Sequence, residues 1–251
     1  MPARRRAEAA SLTGKIPVDP LISCIVPVYN GERFVAEALE SILAQTYRPI
    51  EVIVADDEST DGTAAVLDRY RDRVRILTQP TAGPAATRNL GLRAARGEFV
   101  AFLDADDLWR QEKLSRQMAR FRARPELEVS VTHVQLLWVA GLRQEAEHYQ
   151  DHPRAQPVPG FSTTALLARR AVFERVGLFN PDLWFADATE WFIRAREQAV
   201  VVEVLPEVLV FHRMHESNLT RRRTAASGEE FARVVKASLD RRRGRGAAPI
   251  T

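Results

Sequence analysis

The amino-acid sequence predicts an α/β domain built on a mostly parallel sheet flanked by helices. Three observations predict it. Up to about residue 107, short apolar runs alternate with amphipathic stretches, the order that gives parallel strands covered on both faces. Two acidic clusters, Asp56-Asp57-Glu58-Ser59-Thr60-Asp61 and Asp104-Ala105-Asp106-Asp107, each follow a run that reads as a buried strand. Ligands of such sheets sit at the carboxyl ends of the strands. With 251 residues, 45% hydrophobic and 27% charged, the chain can also bury one sizeable core.

The elements follow in order. Ile22 to Val28 reads as a strand, and Arg33 to Gln45 as a helix with Phe34, Ala38 and Ile42 on one face. Glu51 to Ala55 is a second strand, and Asp61 to Tyr70 a helix with Asp61 placed to cap it. Val74 to Thr78 is a short third strand. Pro84 to Ala95 is a helix opened by proline and ended near Gly97, before a fourth strand from Phe99 to Leu103.

The second half is less regular. Trp109 to Arg124 reads as a basic amphipathic helix, and Glu128 to Val139 as a β-rich run. Gly141 to Gly160, polar and with three prolines near its end, predicts a mobile loop. Its His148 and His152 have a spacing that a helical metal site uses, but no third ligand is in view. Phe161 to Ala168 predicts a strand, Arg170 to Arg175 a short helix and Asp187 to Gln198 a longer one. Val200 to Val204 and Val208 to His212 predict two strands around a turn at Pro206.

Charge divides the chain into a body and two tails. Residues 1–20 carry four Lys/Arg and two acids, and residues 221–251 carry nine and three. The net charge of +3 therefore belongs to the tails, and residues 21–220 stand at −5. An acidic body gives no reason to expect nucleic acid as a partner. The runs Arg221-Arg222-Arg223 and Arg241-Arg242-Arg243 suit peripheral contact with anionic lipid at the inner face of a membrane. Residues 1–20 read as a flexible basic tail, 21–220 as a single domain, and 221–251 as a basic helix or tail. The lone Cys24 lies in an apolar run and reads as a buried structural thiol. No apolar run approaches the ~20 residues of a membrane span, and the basic start lacks a signal-peptide core, so a cytoplasmic protein is expected.

Carboxylates packed as closely as those of the two clusters repel one another. A cation and a ribose-diphosphate would give them a purpose, because Asp104-Ala105-Asp106 offers two hard oxygen ligands suited to Mg²⁺ or Mn²⁺.

Four motifs in order carry a resemblance: Ile25 to Glu32, Asp56 to Thr63, Gly83 to Asn89 with Gly91, and Gly97 to Asp107. From about residue 22 to 220 the chain resembles the inverting family 2 glycosyltransferases, with their GT-A fold on a Rossmann-like sheet. The resemblance implies a nucleotide-sugar-binding half over 21–107 and an acceptor-binding half over 108–220. It implies that Pro27, Val28, Tyr29, Asn30 and Glu32 line the base and ribose pocket, and that Asp56 and Asp57 join it, Asp57 accepting a hydrogen bond from the base. Arg88 would lie beneath the donor phosphates. Asp104 and Ala105 would lie near the ribose. Asp106 would ligate Mn²⁺ or Mg²⁺ with Asp104 and with His215, from the late segment Arg213-Met214-His215-Glu216-Ser217-Asn218. Asp107 would cap the following turn.

Inversion needs a carboxylate to take the acceptor's proton. Aligned on Arg194, the family's usual base position is Ala188, so the role falls to Asp187, one residue earlier, or to Glu190. The expected reaction is a single, non-processive transfer from a nucleotide-diphospho-sugar, a UDP-sugar first, to the hydroxyl of a glycan, a metabolite or a protein. Ala188 also admits a degenerate domain that binds a nucleotide-sugar or a protein without turnover. A nucleotidyltransferase is disfavoured, since Pro27-Val28-Tyr29-Asn30-Gly31 is not a triphosphate-cradling loop.

Overall fold

The computed structural model describes residues 19–149, 152, 155–222 and 225–246. Most of the expected basic N-terminal tail, Arg223 and the chain past residue 246 lie outside the described residues. The fold is the expected mixed α/β one. Strand β1 (Ile22–Val28) is buried along its whole length and lies parallel to β2 (Ile50–Asp56) on one side and to β4 (Phe99–Phe102) on the other. Strand β3 (Arg75–Thr78) extends the parallel part at the edge beside β2.

The period of two in β1 builds two cores. Ile22, Cys24, Val26 and Val28 enter one apolar cluster, and Ile25 points into the other. On the first side packs helix α1 (Val35–Leu43), which buries Val35, Ala38, Leu39 and Ile42 at helical spacing. Helix α2 (Thr63–Asp68) follows β2, with Asp61 Oδ1 accepting from the Thr63 amide at 2.9 Å. Helix α3 (Pro84–Ala94) lies against β1 closely enough that a Cβ on Gly91 would collide with the Ile25 side chain. Cys24 is fully buried, and burial pushes its thiol up to about 12.

The second half continues the same sheet with mixed polarity. Strand β8 (Leu167–Arg169) joins antiparallel to β4 and to β6 (Val129–Trp138), and β6 runs parallel to the long β9 (Val202–Met214). The short β5 (Leu108–Trp109) closes the far edge on β9, and β7 (Val158–Pro159) pairs with β6. Among the described residues, the sheet order is β3-β2-β1-β4-β8-β6-β9-β5. Helices α4 (Lys113–Ala123), α6 (Arg170–Val176), α7 (Asp187–Glu197) and α8 (Ala225–Gly246) complete the domain, with α5 (Arg143–Tyr149) following β6.

Four expectations are corrected here. The helix expected from Trp109 starts at Lys113, because Trp109 pairs with Val210 and its buried indole N–H donates to Thr164 O at 2.9 Å. The segment read as a mobile loop holds α5 and β7. The strand expected from Phe161 shrinks to Leu167–Arg169. Its earlier carbonyls are taken by side chains instead of a ladder: Thr164 O by Trp109, Ala165 O by Gln117 and Leu166 O by Lys113. Finally, β9 runs through Pro206 as one strand. Thr132 pairs with Leu205 and His133 with Val208, so Pro206 and Glu207 form a bulge, where a missing N–H is tolerated. Among the described residues no helix is long and apolar enough to cross a membrane. Of the basic runs, Arg221 is bound to Glu145 at 2.6 Å and Arg241 to Glu197 at 2.8 Å.

Candidate active site

The acidic clusters meet at the carboxyl ends of β1, β2 and β4. Past β1, Asn30 takes a left-handed conformation (φ 51), which asparagine tolerates. Its side-chain oxygen accepts from the amides of Thr60 at 2.8 Å and Asp61 at 3.3 Å. Glu32 accepts from Gly62 N at 2.6 Å, and Gly31 N donates to Thr63 Oγ1 at 2.8 Å. Asn30 and Glu32 thus bind the β1 loop to the β2 loop. Pro27 and Val28 are buried in β1, whereas Tyr29 beside them is 54% exposed and offers its ring to solvent at the strand end.

The carboxylates after β2 organise backbone. Asp56 Oδ1 accepts from the Ser59 amide at 3.1 Å and its hydroxyl at 2.6 Å. Asp57, 4% exposed, accepts from Gln79 Nε2 at 2.8 Å, from Ala82 N at 3.1 Å and from Gly83 N at 2.9 Å. That clasp sets the start of α3, where Gly83 has φ 87 and carries the Trp184 indole so close that a Cβ would lie 3.1 Å from it. A base N–H reaching Asp57 would have to share oxygens already in use.

Arg88, on the buried face of α3, joins the two halves. Its Nη2 donates to Asp104 Oδ1 at 2.8 Å and its Nη1 to Asp187 Oδ2 at 2.6 Å. Burial opposes its charge, yet Asp104 and Asp187 outweigh burial and hold its pKa above the ordinary arginine value. Among the described residues its Nε is buried without a hydrogen-bond partner.

Past β4 the chain turns at Asp104–Asp107, with Asp107 N donating to Asp104 O. Asp106 Oδ2 meets His215 Nε2 at 3.0 Å and Asn218 Nδ2 at 3.2 Å. Burial raises its pKa, but the His215 hydrogen bond and the nearby His212 and His215 carry it below the usual carboxylate range. His215 is itself fixed: its amide donates to Asn218 Oδ1 at 2.6 Å and its ring lies 4.7 Å from Phe34. Asp107 is fully buried and does more than cap a turn. It accepts from Arg213 N at 3.0 Å and faces His212 Nδ1 at 2.9 Å, and it holds His212 above its ordinary pKa.

The two candidate bases part company. Asp187 is 5% exposed and belongs to the Arg88 cluster. Glu190, one turn on, has both oxygens on Arg194 Nε, at 2.7 and 2.9 Å, and Arg194 also donates to Leu178 O at 2.7 Å. Only Asp187 is thereby connected to the donor-side acids.

A divalent cation can be tested against this geometry. Among the described residues no three His, Cys, Asp or Glu side chains converge on one point. Asp106 and His215 come together, while Asp104 is turned to Arg88. One carboxylate and one imidazole nitrogen 3.0 Å apart fit a magnesium- or manganese-type site, which takes one or two protein ligands and completes its shell with phosphates and water.

Sequence reasoning missed Glu230. This carboxylate of α8 is buried and accepts three backbone amides: Trp184 at 3.2 Å, Phe185 at 2.8 Å and Ala186 at 2.7 Å. Gln79 was missed likewise, and so was Asn218 as a partner of Asp106. The Arg213–Asn218 segment pointed to its histidine alone.

Comparison with known proteins gives a consistent picture. The family described as Glycosyl transferase family 2 matches residues 23–177. The chain is 29% identical over 227 residues to an uncharacterized glycosyltransferase of Nostoc sp., covering 84% of this chain and 70% of the relative. It is 43% identical over 103 residues to the UDP-Glc:alpha-D-GlcNAc-diphosphoundecaprenol beta-1,3-glucosyltransferase WfgD of Escherichia coli, covering 40% of this chain and 41% of that one. TarS of S. aureus, solved in complex with UDP, is similar with a TM-score of 0.63 and 25% identity over 77% of this chain and 60% of that one. The mannosyltransferase PcManGT of Pyrobaculum calidifontis, solved with GDP-Man and Mn2+, shares the fold with a TM-score of 0.60 and 22% identity over 80% of this chain and 59% of that one. The chain thus spans about three fifths of the length of these two solved proteins.

Proposed function

The chain belongs to glycosyl transferase family 2, and we propose that it moves a sugar with inversion from a UDP-sugar to an acceptor hydroxyl, with Asp187 as general base. The observation that carries this reading is the Arg88 bridge, which ties Asp187 to Asp104 across two halves of the sheet. Arg88 Nε, buried and unpaired, is a donor left over for an anionic ligand. UDP in the TarS complex and UDP-Glc in the name of the E. coli relative support uridine as the base.

In this mechanism the diphosphate lies over the start of α3 and the Asp104–Asp106 turn. The acceptor oxygen attacks the anomeric carbon on the face opposite the diphosphate. Asp187 takes the hydroxyl proton as the new C–O bond forms, and the bonding electrons of the old one leave on the phosphate oxygen. Asp106 and His215 would hold a divalent cation, which supplies charge compensation for the departing diphosphate. Mn2+ in the archaeal fold neighbour is consistent with that choice. Tyr29, exposed beside the β1 loop, is placed to flank the base.

Two measurements test this. UDP with Mn²⁺ should raise the melting temperature, about 2.7 kcal/mol at 100 times its dissociation constant, and GDP should do so less. Asp187→Asn should then lower UDP release from a UDP-sugar by about 10²–10⁴-fold while leaving the UDP shift in place. Ala188 at the usual base position favours a second reading, a binding domain without turnover. A UDP shift with no UDP release from any UDP-sugar would select it.

A further inference from the structure

We infer that Glu230 is a positioning residue, a brace by which the C-terminal helix sets where Asp187 stands. The inference rests on the reading of Asp187 as the base. Residues Trp184 to Ala186 form the last stretch of loop before α7, whose first residue is Asp187. At many helix starts a local N-cap side chain accepts from the first-turn amides. Here Ala186 occupies the cap position and makes no side-chain cap. The loop ahead of the helix is held instead, from 44 to 46 residues downstream, by one buried carboxylate. Oε1 accepts from Phe185 and Ala186 and Oε2 from Trp184, so both oxygens are needed and all three amides point the same way. A carboxylate receiving three amides fixes a loop more firmly than any single bond, because each is charge-assisted.

The fixed loop touches the donor side as well. Trp184 lies over Gly83, whose amide donates to Asp57, so the brace also sets the indole against the start of α3. Trp184 is still 47% exposed, so part of the ring stays open to solvent. A second fastening holds the far end of the same helix: Glu197 of α7 accepts from Ser238 Oγ at 2.7 Å and Arg241 Nε at 2.8 Å. Val234 packs between the two fastenings with Leu183 and Ala186. The two fastenings allow position to be separated from stability. Breaking the distant one weakens docking of the helix but leaves the loop held.

The test compares Glu230→Ala, Glu230→Gln and the double variant Ser238→Ala/Arg241→Ala in the full chain. Amide hydrogen exchange is read at residues 184–187, and UDP release from a UDP-sugar is normalised to UDP-binding sites. Glu230→Ala should speed exchange at 184–186 at least 10-fold and lower kcat about 10–100-fold, with the dissociation constant for UDP within twofold. Glu230→Gln, which keeps the Oε1 acceptor, should fall between it and wild type. The double variant should melt earlier with kcat and exchange at 184–186 within twofold. Unchanged exchange, or unchanged kcat, in Glu230→Ala overturns the inference. Asp187→Asn in the same assay separates the two failures. If it keeps wild-type turnover, the base assignment is wrong. If it is inactive while Glu230→Ala is normal, only the brace is wrong.

Discussion

Ala199 follows the last turn of α7 with φ 54, a left-handed conformation that places its Cβ against the backbone. Around it the chain makes a complete Schellman motif, Val200 N to Ala195 O at 3.0 Å and Ala199 N to Arg196 O at 3.1 Å, the position where glycine is usual. Ala199→Gly should therefore raise stability by about 0.5–1 kcal/mol in urea melts, the relief of strain exceeding the added freedom of the unfolded chain. Lys113 makes a second residue-scale prediction. It is fully buried, with Nζ 3.0 Å from Gln117 Oε1 and 4.1 Å from the centre of the Trp109 ring, and burial lowers its pKa to about 7. The unfolded chain holds that proton up to about pH 10.4, so between the two values the unfolded state binds more protons and stability rises with pH. Two groups act in the opposite direction: His212, held up to about 9, from about pH 6.5, and Cys24, raised to about 12, once the unfolded thiol ionises near pH 8.5. The Lys113 contribution is therefore read between roughly pH 7 and 8.5 as a difference between wild type and a variant without the amine. Lys113→Met should make the slope of melting temperature against pH more negative across that window than in wild type; an unchanged slope would remove Lys113 as a contributor. At the site, the sequence left Asp187 and Glu190 as equals, since both lie in the first turn of one helix. Their distinction comes from partners far away in sequence, Arg88 for one and Leu178, through Arg194, for the other.

At the scale of elements, the placement of α3 decides the site. Gly91 lets the helix approach β1, and the same helix carries Arg88 one turn earlier. Gly91→Ala should cost about 1–3 kcal/mol by overpacking against Ile25, measurable as a lower urea midpoint with an unchanged slope. A cost near zero would mean that the helix can shift without loss, and Arg88 would not be held by packing. The parallel half was legible because each strand and helix there is local, patterned at periods of 2 and 3.6, and closed by Asp, Pro or Gly signals. In the second half β6, α6 and α7 were legible on the same terms, and the stretches between them were not. Residues 164–166 satisfy their carbonyls with Trp109, Gln117 and Lys113, a solution no period announces. Pro206 reads as a strand break until a bulge absorbs it. Glu230 belongs to no motif, and its partners lie 44 to 46 residues away.

At the scale of the molecule, an acidic body of net −5 must accept a donor that is itself an anion. In the proposed mechanism the charge of Arg88 is already balanced by two carboxylates, so a cation at Asp106 and His215 would compensate the diphosphate. UDP should accordingly stabilise the protein strongly with Mn²⁺ and weakly without it, and Asp106→Asn should remove the difference. In the proposed mechanism one sheet brings a donor site from its parallel half to a base from its mixed half, with Arg88 between them. The measurement that tests this most directly is the rate of UDP release from a panel of UDP-sugars by Asp187→Asn and Glu190→Gln. The account predicts a loss of at least about 100-fold for Asp187→Asn and less than about 10-fold for Glu190→Gln. The reverse order would contradict it and assign the base to Glu190, one turn further along α7.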